Sequence, residues 1–117
     1  MTETAPPTRP GAMTVVTDLA GRTATQPDST VSTTVLRAEG ARVVLFAFDT
    51  GQELSEHTAA VPALLQVLTG RLAVTASGRT VDLAPGDLIH LPARLPHAVT
   101  AHEPALLQLT LLDGRSG

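Results

Sequence analysis

Three of the four histidines fall in two short segments, GQELSEHTAAVPALLQVLTG (residues 51–70) and PGDLIHLPARLPH (residues 85–97). They are His57, His90 and His97; the fourth, His102, stands in AHEP ahead of the last apolar run. Imidazole is a ligand for most late transition metals. A pair of neutral imidazoles can also act as acid and base near pH 7 without any metal. Cysteine is absent, which excludes thiolate ligation and disulfides alike. Nucleophilic catalysis has little to stand on, because no Gly-x-Ser-x-Gly elbow occurs and Ser55, two residues from His57, does not make a triad. No glycine-rich phosphate loop is present. The ordinary reading of His90, in the apolar run LIHL, is a core or interface histidine, and that of His102 a turn residue. Pro85-Gly86-Asp87 is turn chemistry: proline fixes φ, glycine permits positive φ, and the aspartate bonds the backbone.

The elements that must position these residues read as short β-strands. Apolar, β-type runs recur at VSTTVLRA (31–38), ARVVLFAFD (41–49), ALLQVLTG (63–70), RLAVTA (71–76), RTVDL (79–83), LIHL (88–91), PHAVTA (96–101) and ALLQLTLL (105–112). Turn residues separate them at hairpin spacing. Glycine and proline interrupt every window long enough to hold a helix. Eight or so strands predict an all-β closed sandwich or barrel, since an open sheet would leave adhesive edges. Residues 1–12 read as a flexible Pro/Thr tail, 13–30 as an N-terminal extension of loop, and 31–117 as the β-barrel domain.

Composition narrows the classes. The chain has 117 residues, 43% hydrophobic and 16% charged, enough for one domain with its own core. Net charge is −3, all the cations are scattered arginines, and only two residues are aromatic, so neither phosphate backbones nor bases have a counterpart. Alanine-rich, lysine-free usage suits a GC-rich bacterial genome. No apolar run approaches the roughly 18 residues of a membrane span, and the polar, proline-rich N-terminus lacks a signal-peptide core. These features predict a cytoplasmic protein.

Gly51, His57 and Gly70 in the first segment, with the PGD turn, Pro92 and Pro96-His97 in the second, resemble the two motifs of the cupin superfamily of small RmlC-like jelly-roll barrels. The resemblance spans roughly residues 31–112 and includes the SGRTVDL hairpin between the motifs. In metal-dependent cupins the first motif supplies His-x-His and a further ligand, the second a last histidine. By position, His57 matches the first ligand and His97 the last. Ala59 stands at the second histidine and Ala63 at the third ligand, and a methyl group donates no lone pair. Arg94 replaces a usual glycine, and Ala101 a frequent asparagine.

The resemblance implies a divalent metal (Fe, Ni, Zn, Cu or Mn) on His57 and His97, weakly held unless another side chain joins. Glu53, Glu56, Gln66 and His90 are the available substitutes. Strand alternation sets Ala63, Leu65 and Val67 on one face and Gln66 on the other, and it turns Glu56 away from its neighbour His57. Glu53 shares His57's parity. The implied activity is that of a dioxygenase, isomerase or lyase on a small organic substrate. The alternatives are a metal-free small-ligand module, its apolar cup lined by Leu65, Val67, Val99 and Leu109, or a metal-independent acid/base isomerase or dehydratase. Small cupins commonly pair through an outer sheet, which implies a homodimer built on VVLFAF and LLQLTLL. The N-terminal segment is then placed to add a strand across that interface.

Overall fold

Turn residues with positive φ cut the chain into strands of four to nine residues. Gly40, Gly51, Gly78 and Gly86 take φ between 69° and 98° at or beside strand ends. A computed structural model of the chain describes residues 8–9 and 11–112; most of the sequence-predicted tail lies outside them. Nine strands form: β1 (Thr30–Ala38), β2 (Ala41–Phe48), β3 (Glu53–His57), β4 (Ala63–Thr69), β5 (Leu72–Ala76), β6 (Arg79–Leu83), β7 (Leu88–Leu91), β8 (His97–Ala101) and β9 (Ala105–Leu112). All eight predicted runs appear with nearly the predicted limits. The ninth, β3, was not among them. Only Leu54 in ELSEH is apolar and partly buried, so the segment carries no alternation to read.

The strands make two antiparallel sheets, β1-β2-β9-β4-β7 and β3-β8-β5-β6, packed face to face as a jelly roll. From β3 onward the chain changes sheet at every connection except the β5–β6 hairpin. Inward positions alternate as half-buried strands require: Ala63, Leu65 and Val67 on β4, Leu72 and Val74 on β5, His97, Val99 and Ala101 on β8. With Phe48, Leu83, Leu91 and Leu107 they form one apolar core.

Leu45 and Ala47 break that pattern. In the β2–β9 register they pair with Gln108 and Leu106, opposite in parity to the inward Phe46 and Phe48, yet both are fully buried. The segment before β1 meets the same hairpin at two points. Thr8, Arg9, Gly11, Ala12 and Thr14 share a cleft with Ala38 and Glu39 at the tip of the β1–β2 hairpin. At its other end the Asp28 amide donates to the Asp49 carboxylate at 2.7 Å, and the Asp49 amide to the Ser29 carbonyl at 3.1 Å. The stretch between joins these two points. It forms loop with one 3₁₀ turn at Leu19–Gly21 and no strand.

The Asp28 and Thr50 amides hold the Asp49 carboxyl below its ordinary pKa. A depressed carboxylate pKa contributes stability that is full above the unfolded value, near 3.8, and lost as pH falls through the folded one. The Asp28 amide is therefore expected to lose hydrogen-exchange protection only as pH falls below 3.8, through the lowered value, while the core β5 and β8 amides keep theirs. Asp49→Asn should produce part of that loss already at neutral pH. Unchanged Asp28 protection in both experiments would refute the anchor.

Candidate functional site

The site begins with an irregularity in β3. Glu53 pairs with Thr100 and Leu54 with Val99, but a bulge follows and His57 then pairs with His97. One extra residue in a strand reverses the face that later side chains take. His57 therefore joins Leu54, Val99 and His97 on the inner face, while Glu53 is left outside with Thr100. The shared parity expected for Glu53 and His57 is corrected by this bulge, and Glu53 is removed from the pair's surroundings.

The two imidazoles come together, with ring centroids 4.3 Å apart and planes inclined at 58°. His97 is buried and His57 lies at the exposed mouth. Each ring is pinned by the backbone two residues before it. The Nδ1–H of His57 donates to the Ser55 carbonyl at 2.8 Å, and that of His97 to the Leu95 carbonyl at 2.8 Å. A carbonyl oxygen only accepts, so in each neutral ring the proton is on Nδ1 and the lone pair on Nε2. The pair thus presents two oriented Nε2 atoms.

The loops carrying the two motifs are stitched by the Arg94 amide, which donates to the Ala59 carbonyl at 2.7 Å. Arg94 takes φ of 66°, which explains why the resembling family places glycine here. Left-handed backbone costs a branched residue about 1–2 kcal/mol, and glycine's extra unfolded-state freedom returns roughly 0.5–1 kcal/mol of that. Arg94→Gly should therefore stabilise the fold by about 0.5–1 kcal/mol, read as a higher urea midpoint. A lower midpoint would mean that the Arg94 side chain contributes more than its backbone costs.

The donor set decides how a metal would fare. Catalytic zinc sites ordinarily keep three protein ligands and structural ones four. Here Ala63 is packed in the core and Ala59 offers only its backbone, already bonded to Arg94. Among the described residues no three His, Cys, Asp or Glu side chains converge. Glu56 borders a surface hollow with Thr75, Ser77 and Ala98 on the outer face. Gln66 is exposed on the outer face of the other sheet, its Oε1 3.5 Å from Gln108 Nε2. His90 has outer parity beside Leu64 and stands exposed at a cavity rim. The two imidazoles alone do not complete the metal centre of the resembling enzymes. His102 belongs elsewhere, its Nε2 3.1 Å from Asp82.

A cavity of about 520 Å³ opens between the edge strands β6 and β7. Its walls are apolar (Val74, Val81, Leu83, Ile89, Leu91 and Leu95), with Ser77, Arg79, Asp87 and His90 at the rim. Sequence reasoning placed the cup at Leu65, Val67, Val99 and Leu109. Leu65, Val67 and Val99 are at most 3% exposed in solid core, and Leu109 packs against it, so none lines this cavity. The signal that could have found the cup is cross-strand register. On the inner face of one sheet His57 pairs with His97, His97 with Ala76, and Ala76 with Arg79. That rung runs from the imidazoles to Ala76 and Arg79, which line the cavity; His57 and His97 themselves do not.

Comparison with known proteins agrees with this fold. A family model described as "Cupin domain" matches residues 44–112, and the chain belongs to that family. A conserved Streptococcus pyogenes protein of unknown function superposes with a TM-score of 0.78 at 27% identity, over 90% of this chain and 92% of that one. An RmlC-like cupin from Desulfovibrio desulfuricans superposes at 0.76 with 23% identity, over 86% and 97% of the two chains. A cupin superfamily protein from Desulfitobacterium hafniense gives 0.71 and 23%, over 74% and 80%. No curated protein matches the chain. Among the described residues no helix is long and apolar enough to cross a membrane.

Proposed function

We propose that this cupin binds a small organic molecule in the β6–β7 cavity and addresses its polar end with the Nε2 atoms of His97 and His57. The observation that carries this reading is the pinned pair: both Nδ1–H groups are committed to backbone carbonyls, so both Nε2 lone pairs are free to accept. Alanine at both missing-ligand positions favours hydrogen bonding and proton handling over a resident metal. If the bound molecule carries an exchangeable proton, one imidazole can take it while its protonated neighbour returns one, the chemistry of an isomerase or dehydratase. A weaker metal reading has its own support, because a backbone acceptor on Nδ1–H is also how metal-ligating histidines are oriented.

A homodimer belongs to the same proposal, with one shift from the sequence expectation. Leu45 and Ala47 in VVLFAF are covered within the chain, and on the strands the exposed large apolar residue among those described is Leu88, 58% exposed, next to Gln66 and His90.

Elemental analysis of untagged protein, beside His57→Ala and His97→Ala, separates the readings. The expected result is less than about 0.1 metal per chain after incubation with iron, nickel or zinc, since two imidazoles fall short of a usual site. Near-stoichiometric metal that disappears in both variants would refute the metal-free reading.

A further inference from the structure

The rung His57–His97–Ala76–Arg79 places a guanidinium on the same inner face as the imidazole pair. Adjacent strands lie about 4.8 Å apart, so Arg79 and His97 are separated by about 10 Å at their backbones. The side chain between them is only the methyl of Ala76, which lines the cavity beside the buried His97. Arg79 has the parity of Val81 and Leu83, both of which wall the cavity, and it borders the cavity itself.

We infer that the cavity takes a small organic carboxylate, its anion on Arg79, its apolar body against Val81 and Ile89, and its far polar group at His97. This rests on the reading that cavity and imidazole pair form one ligand site. The charge argument is local. Asp87 is the acidic group at the rim, and its Oδ2 is turned back to accept the Ala84 amide at 2.9 Å. Among the described residues Arg79 makes no ion pair, so its guanidinium is available at the cavity rim. A lone planar guanidinium matches a carboxylate through two parallel N–H donors. A phosphate would call for more positive charge than one arginine, and the sequence has no phosphate loop. The apolar walls in turn select an acid with a hydrocarbon body over a fully hydrated anion such as sulfate.

The test uses two matched pairs of probes, hexanoate with hexanamide and phenylacetate with phenylacetamide. Binding is followed through the methyl NMR signals of Val74, Val81 and Ile89 in wild type and in Arg79→Gln, a substitution at an exposed position. The expected result is that both carboxylates shift these methyls and bind at least about tenfold more tightly than their amides. Arg79→Gln should abolish that preference. Equal affinity for acid and amide in wild type, or an unchanged preference in Arg79→Gln, would overturn the carboxylate assignment and leave the cavity reading standing. If none of the four probes moves these methyls, both readings fall together.

Discussion

Gly70→Ala is expected to destabilise the fold by about 2–5 kcal/mol. Gly70 has φ of 79°, and a Cβ there would collide with the Pro104 carbonyl oxygen and lie 2.7 Å from the Ala105 Cα. Both obstacles are backbone at the start of β9, the strand bonded to β2 and β4, so neither can step aside as a flexible side chain would. Two costs add. Left-handed backbone costs an alanine about 1–2 kcal/mol, and forcing an extra carbon into a packed junction costs about 1–3 kcal/mol more. Gly40→Ala isolates the first of them, because Gly40 has φ of 84° but open space around its Cα. It should lose only about 1–2 kcal/mol. The chain has no tryptophan or tyrosine, so urea unfolding is best followed by far-ultraviolet circular dichroism. Equal losses at Gly40 and Gly70 would show that the β4–β5 corner yields freely.

What the sequence could show follows from what each feature depends on. Turns are local, written in Gly40, Ser77-Gly78 and Pro85-Gly86-Asp87, so eight strands and the all-β class were legible from residues alone. β3 was not, because an edge strand with one apolar residue has no period to detect. The bulge after Leu54 was equally hidden, and one uncounted residue was enough to send Glu53 to the wrong face. The pairing of His57 with His97 was legible through motif resemblance, since their spacing is set by the two loops that Arg94 and Ala59 join. The β6–β7 cavity was not legible for a different reason. Leu65, Val67 and Val99 do point inward, but inward positions near the sheet centres are filled by neighbours, whereas those beside the β6 and β7 edges are not. Sheet order decides that, and no short stretch of sequence carries it. Arg79 escaped notice likewise: only the rung through Ala76 relates it to the histidines.

Restoring the two absent donors should convert the imidazole pair into a metal site. In the double variant Ala59→His, Ala63→Glu, zinc or nickel affinity is expected to rise by more than about 100-fold over wild type, measured by competition against a coloured chelator. Partners one shell removed from a metal already carry about 10–100-fold in affinity, so two direct ligands should exceed that. The gain has a counterpart in the metal-free protein. Position 63 is 2% exposed within the core, where an uncompensated carboxylate costs about 3 kcal/mol or more, or takes up a proton instead. The metal-free double variant should therefore melt well below wild type, and metal should raise its melting point in proportion to ln(1 + [metal]/Kd). Ala59→His alone, outside the core, should keep wild-type stability and gain affinity modestly. A double variant that folds yet binds metal no more tightly would mean that β3 and β4 no longer hold those positions at ligand distance from His57 and His97. The loss would then lie in the frame as well as in the side chains.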